Sequence, residues 1–387
     1  MKQVITTEKV PIKLWLKDIE EGALEQAKNL ANLPFIFKHL AIMPDAHQGY
    51  GMPIGGVMAT KGVIVPNAVG VDIGCGMCAL RTSLTYIDKI DLRKIVDKIK
   101  EVIPVGFSNQ EKAQNENLMP KQNIDFTGIV KQEYNNALTQ IGTLGGGNHF
   151  IEIQRGSDSH IWIMIHSGSR NMGYKVARHY NDIAKKLNEQ WFSEVTKDKE
   201  LAFLPIDTTS ARVYLEEMQY CVEFAFANRK VMMENIKHCF AYVINPIFFD
   251  HIINIAHNYA KWENHYGQNV IVHRKGATSA RKGEIGIIPG SMGTKSYIVE
   301  GLGNVESFMS CSHGAGRKMG RKQAQRELSL ENEINIMNKQ GIIHGIKTVD
   351  NLDEAVGAYK DIDTVMDNQN DLVKILVELK PLASIKG

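Results

Sequence analysis

The side chains able to do chemistry in this chain sit in glycine-rich stretches. "SCSHGAGRKMG", residues 310–320, sets His313 among small residues and follows it with Arg317 and Lys318. Ser312 has the type of an N-cap, so the stretch predicts a polar, basic helix over 316–326. The N-terminus of that helix would draw phosphate to a place beside His313. "VGVDIGCGMC" puts Asp72 and Cys75 on backbone that glycine frees to turn, so a carboxylate and a thiolate can face one point. "GTLGGGNHFIEI" follows its glycines with Asn148, His149 and Glu152. It lacks the Lys-Ser/Thr ending of a Walker loop and is not a Rossmann fingerprint, yet exposed amides beside Asn and His suit a phosphate-binding concavity.

Two histidines close apolar stretches: His166 in "IMIHSGSRNMG", ahead of Ser167, Ser169 and Arg170, and His257 in "INIAHNYA", ahead of Asn258. One histidine at the end of an element is more often structural than a ligand. His149, His166 and His257 together with an Asp-x-x-Cys offer imidazole, carboxylate and thiolate to a catalytic divalent metal. Cys75 and Cys78 also form a C-x-x-C. The cysteines at 221, 239 and 311 stand alone, so no zinc knuckle is completed, and residues 77–83 read as strand where a redox motif would open a helix. Two small buried thiols are the plain alternative. "MPDAHQGYGMPIGG" adds Asp45 and His47 before a glycine-rich turn, and "HRKGAT" supplies cations that bind phosphate or are merely solvated.

The elements that must position these groups follow from pattern. Residues 56–84 read as short strands broken by glycine turns, "HIWIMIHSGSR" as an apolar strand ending at His166, and "NVIVHRKGA" and "EIGIIPGSMGTKSYIVEG" as further strands. Helices are predicted at about 92–101, 173–186, 212–242 and 317–328. The polar stretches 108–123 and 193–207 read as surface excursions, and neither has a flexible linker's composition. Strands and helices do not alternate regularly enough for a doubly wound sheet. The expectation is therefore one integrated α+β domain over residues 1–387, with mixed sheets, helices and a central site.

A formal net charge of +2 excludes a polybasic protein that holds nucleic acid by total charge, so any such binding needs a local patch. Five cysteines make too odd and sparse a set for a disulfide framework. "MKQVITTEKVPIKLW" has no apolar run of signal-peptide type and no segment reaches the length of a membrane span, so a cytoplasmic enzyme without membrane attachment is expected.

Taken together and in order, "MPDAHQGYGMPIGG", "VGVDIGCGM", "GTLGGGNHFIEI", "IMIHSGSRNMG", "AHNYA", "RKGA", "IPGSMGTKSYIVEGLGN", "SCSHGAGR", "AYKDIDTVM" and the terminal "KG" resemble the RtcB family of RNA-splicing ligases. The resemblance spans almost the whole chain. It implies a GTP- and manganese-dependent ligase that joins an RNA 3′-phosphate or 2′,3′-cyclic phosphate to a 5′-hydroxyl, in tRNA splicing or RNA repair. His313 would attack the α-phosphate of GTP and carry GMP, which then passes to the RNA end. It also implies two manganese ions on Asp72, Cys75, His149, His166 and His257, although ligand type alone would suggest zinc or iron.

The guanylate contacts implied are Asn148, Glu152, Asn258, Pro289, Gly290, Ser291, Met292, Ser296, Gly314, Ala315, Gly316, Tyr359 and Lys386. Glu152 suits the guanine N1 and N2 hydrogens and Lys386 the O6, a pairing that would select GTP over ATP. Asp45, Arg170, Arg274 and Arg317 are candidates to lie near RNA phosphates, and an activating protein partner is compatible with the scheme.

Cys78, and Val356 where proline is expected, depart from the family pattern. Cys78 is either an incidental neighbour of Cys75 or an oxidation liability beside it. The chain is also short around 104–135, which bears on RNA access. Two rivals stand beside the ligase: a metal-dependent phosphoesterase, which would need the metal cluster and not His313, and a non-catalytic RNA- or nucleotide-binding protein.

Overall fold

Residues 76–81 alternate two apolar faces: Met77 and Ala79 pack into one hydrophobic cluster, Cys78 and Leu80 into another. Such a strand must be covered on both sides. A computed structural model describes residues 1–121, 128–195 and 197–387, and places Gly76–Arg81 inside a seven-stranded sheet. In spatial order that sheet runs Ile253–Ala256, Gly76–Arg81, Ile161–Ser167, Phe150–Gly156, Val373–Lys386, Ser296–Gly301 and Ile285–Ile288. A six-stranded sheet contains Ile36–His47, Ile54–Thr60, Gln268–Lys275 and Asn258–His265. All named strand pairs are antiparallel except Ile12–Leu14 on Ile36–His47, so with the packed helices the fold is α+β, as expected.

Thr208 caps the helix Thr209–Val243 by accepting from the Ala211 amide at 3.2 Å. The C-terminal part of this helix puts Met232, Met233, Ile236 and Phe240 against the Cys78 face of the large sheet. Its earlier turns pack Tyr214, Met218 and Cys221 with Val176 and Tyr180 of the helix Arg170–Gln190. Among the described residues no helix is long and apolar enough to cross a membrane.

Two expectations need correction. The helix predicted from Ser312 does not form there: Ser310–Ser312 is a short strand paired with Ala277–Ser279, and the helix starts only at Arg321–Glu327. The glycines from 314 turn the chain out of that strand instead of into a helix, and Gly316 adopts φ +72°. The stretch 193–207 is not purely a surface excursion. Val195, Leu201 and Leu204 are buried, and Leu204–Pro205 pairs with Val63–Ile64; Thr196 lies outside the described residues, as do positions 122 and 123 of the other excursion. Cys78 packs in the apolar cluster under the long helix, where burial pushes its thiol up to about 12 and disfavours the thiolate.

Candidate active site

Register along the large sheet decides where the candidate ligands meet. Ala256 pairs with Gly76, Gly76 with Ser167, and His166 with Phe150. Cys75, His149 and His257 each stand one residue beyond this row, so four ligands from four neighbouring strands come to one edge of the sheet. Side chains at neighbouring register positions lie about 4.5–5.5 Å apart, which is coordination range once they turn to a common point. Gly76 permits the approach, since a Cβ there would fall 1.9 Å from the Ile255 carbonyl oxygen.

Cys75 Sγ lies 3.3 Å from His166 Nε2 and 3.4 Å from His149 Nε2. His149 Nε2 is 3.1 Å from Asp72 Oδ2, and His166 Nε2 is 3.4 Å from His257 Nε2. All five predicted ligands therefore form one chain of contacts. The tautomers follow from the outer partners. His149 Nδ1 donates to the Leu144 carbonyl at 3.0 Å and His166 Nδ1 to the Asn148 carbonyl at 3.1 Å, which leaves both Nε2 atoms as bare lone pairs turned inward. Burial holds His166 and His257 far below the usual histidine range, so they stay neutral, and burial with the neighbouring Asp72 holds the Cys75 thiol high. Inward lone pairs, a carboxylate and a thiol without a cation among them fit a divalent metal.

His313 completes the cluster. Its ring lies edge-on to His257 with centroids 4.8 Å apart. Nδ1 donates to Asp45 Oδ2 at 2.6 Å, and the backbone amides of His313 and Gly314 donate to the same oxygen at 3.0 and 3.3 Å. With Nδ1 so engaged, Nε2 is the ring nitrogen that keeps its lone pair. Gln369 fixes the residue before it: Ser312 N donates to Gln369 Oε1 at 3.0 Å. Gly316 is required at its place because a Cβ would fall 2.0 Å from the Asp45 carbonyl oxygen.

A cavity of about 770 Å³ opens onto His313 and His166. Its wall contains Asn148, the turn of Pro289, Gly290, Ser291 and Met292, the residues Gly314, Ala315, Gly316 and Arg317, and Tyr359 and Lys386. Glu152 lies buried behind Lys386, accepting from Ser384 Oγ at 3.2 Å and Gln154 Nε2 at 2.7 Å, and burial raises its carboxyl to about 7. Two residues expected at the nucleotide are spent on backbone instead. Ser296 Oγ accepts from Gly290 N at 3.1 Å, and Asn258 bridges the Asp72 carbonyl and the Gly276 amide.

Two of the four phosphate candidates are corrected. Arg274 is fully buried, donating to Ser310 Oγ at 2.9 Å and to Glu263, so it is a structural cation beyond the reach of RNA. Asp45 is equally buried and serves His313. Arg317 does line the cavity, and Arg170 stands beside the glycine loop, donating to Thr143 Oγ1 at 3.1 Å and the Gly106 carbonyl at 3.2 Å.

Support comes from residues that pattern did not single out. Arg229, in mid-helix, donates to the Gly74 and Ser167 carbonyls at 3.0 and 2.7 Å, tying the Cys75 loop to the His166 strand. Asn228 beside it accepts from the Gly142 and Thr143 amides and donates to the Ser167 hydroxyl and the Gly168 carbonyl. The one signal in the sequence was "FANRKVMM", an amide and a guanidinium inside an otherwise apolar helical run.

A family model described as tRNA-splicing ligase RtcB matches residues 26–134 and 119–387. The RNA-splicing ligase RtcB of Escherichia coli strain K12 and RNA-splicing ligase RtcB1 of a second E. coli strain are each 41% identical over 411 residues, covering 100% of this chain and 99% of the relative. The tRNA-splicing ligase RtcB of Nanoarchaeum equitans is 33% identical over 460 residues, covering 98% and 95%.

Proposed function

Because the chain belongs to the RtcB family of RNA-splicing ligases and is thereby an RNA ligase, we propose that residues 1–387 act as one GTP- and manganese-dependent domain joining RNA 3′-phosphate or 2′,3′-cyclic phosphate ends to 5′-hydroxyl ends. The observation that carries this is the Asp45–His313 pair set against the histidine cluster. A phosphoesterase would use the cluster alone and leave that pair without work.

His313 Nε2 attacks the α-phosphorus of GTP; the N–P bond forms as the bond to pyrophosphate breaks, and pyrophosphate leaves. Nδ1 keeps its proton on Asp45, which balances the positive charge that the phosphorylated ring acquires. A 2′,3′-cyclic phosphate is first opened by water, which breaks the P–O2′ bond to give the 3′-phosphate and a 2′-hydroxyl; a 3′-phosphate oxygen then attacks the same phosphorus, the P–N bond breaks and His313 is released. The 5′-hydroxyl attacks the activated 3′ end, forms the phosphodiester and expels GMP. Asp72, Cys75, His149, His166 and His257 would hold two manganese ions, whose contribution is Lewis-acid stabilisation of charge on the phosphate oxygens.

The cavity wall supports guanylate. Lys386 can donate to O6 and Tyr359 offers a ring face to the base, while Glu152, buried behind Lys386, is the carboxylate to accept the N1 and N2 hydrogens that adenine lacks. Arg317 and Arg170 suit RNA phosphates at the mouth of the site.

Incubation with α-labelled GTP and manganese should leave acid-labile, alkali-stable label on the wild-type protein and none on His313→Ala. Ligation should require 3′-phosphate and 5′-hydroxyl ends. Joining only 3′-hydroxyl to 5′-phosphate ends would overturn the scheme.

A further inference from the structure

The 3₁₀ turn Val349–Glu354 ends in a carboxylate with no part in the steps above. Glu354 is 3% exposed and meets four donors at once. Oε1 accepts from Arg317 Nη1 at 3.1 Å and forms an ion pair with Arg321 Nε at 3.2 Å; Oε2 accepts from the Tyr359 hydroxyl and lies 3.8 Å from Lys386 Nζ. These donors come from four separate pieces of chain: the segment after Ser310–Ser312, the first residue of Arg321–Glu327, the residue after Val356–Ala358 and the end of Val373–Lys386. All four line the large cavity.

A carboxylate only accepts and all four of these groups are donors, so Glu354 is the anion they share: it takes hydrogen bonds from Arg317 and Tyr359 and pairs in charge with Arg321 and Lys386. Without it, three cations would face one another across a partly desolvated wall, and their long side chains would separate. The Arg317 guanidinium also lies over the Tyr359 ring, 5.1 Å from its centroid, and donates to the Met319 and Asp353 carbonyls, so Glu354 ties the ring to a cation that backbone already orients. Three cations against one carboxylate leave the wall net positive toward an incoming phosphate.

We propose that Glu354 is the positioning residue of the guanylate pocket, fixing Arg317, Arg321, Tyr359 and Lys386 in one wall so that the nucleotide meets a preformed site. This rests on the guanylate function above. Glu354→Gln keeps the shape but brings N–H groups to a point where all four neighbours are donors, so at least one partner is turned away.

The test is calorimetric titration of GMP, with manganese present, into wild type and Glu354→Gln, alongside the GTP dependence of His313 labelling. GMP binding should weaken about tenfold and half-saturating GTP should rise by a similar factor, while the labelling rate at saturating GTP changes less than about threefold. A carboxylate serving only the fold would lower the melting temperature and leave GMP affinity of the folded variant at the wild-type value; that result overturns the proposal. Glu354→Asp, which keeps the charge but withdraws it by one methylene, carries the same test if the glutamine variant does not fold. Wild type that takes up no GMP overturns the guanylate function itself, whereas wild-type uptake with unaffected variants overturns only the role of Glu354.

Discussion

His313 and Asp45, 268 positions apart, meet through a 2.6 Å hydrogen bond from the ring Nδ1 to a carboxylate with no exposed surface. The same oxygen takes two backbone amides of the His313 turn. One carboxylate therefore fixes the ring's tautomer, its rotation and the loop that carries it.

Asp45→Asn should leave the fold in place and cost roughly 10²–10⁴ in the rate of His313 labelling, because the amide can present its N–H to Nδ1 and reverse the tautomer. The measurement is the initial rate with α-labelled GTP beside a thermal melt. A rate within about threefold of wild type would remove Asp45 from the chemistry.

Manganese should raise the melting temperature of the wild-type protein and a chelator should reverse this, since a ligand bound only by the folded state stabilises it by mass action. Cys75→Ser should lose metal, counted by elemental analysis, together with ligation. Full metal content in that variant would show that the sulfur is not a ligand.

Burial raises Glu152 to about 7, with Lys386 opposing the shift. Below that pH the carboxyl is protonated and cannot accept both guanine hydrogens, so GMP affinity should rise between about pH 6 and pH 8 and then level off. In the protein without nucleotide the sign is opposite: a carboxyl raised on folding costs stability as pH climbs from its ordinary value toward 7. Titrations of GMP across this range should show the rise in wild type and a flat profile in Glu152→Gln.

Burial works against the ionised Glu263, but Arg274, His265 and Arg281 together outweigh it and hold the carboxyl at about 2. Its stabilisation is present above the ordinary carboxylate range and is lost as pH falls toward 2, so the melting temperature should drop in that window. Arg274→Ala removes the fully buried partner of Glu263, leaving it only Arg281 and His265, and should cost up to about 3–5 kcal/mol in a denaturant melt. RNA affinity, measured where the variant is folded, should not change. A selective loss of RNA binding would restore Arg274 as a phosphate contact.

The glycine clusters, the strand ending at His166 and the long apolar helix were legible because each is a local pattern, a turn signal or a period of two or 3.6 residues. Helix placement after His313 was not. Ser312 satisfies an N-cap rule, but pairing of Ser310–Ser312 with Ala277–Ser279 and the Gln369 contact hold it in strand geometry. Arg274 and Asp45 were misread for a related reason. A charged residue beside glycine resembles a ligand contact until its burial and partners are known, and those partners, Glu263 and His313, lie on other strands and loops.

By itself the sequence determined which side chains could bind metal and phosphate and that they belong to one family pattern, since residue types and their order are written there. Only the tertiary structure decided that Cys75, His149, His166 and His257 share one sheet edge, that Asp45 serves His313, and that Glu354 gathers the cavity's cations. Those facts depend on strand register and long-range packing, which join residues up to hundreds of positions apart and leave no local trace in the chain.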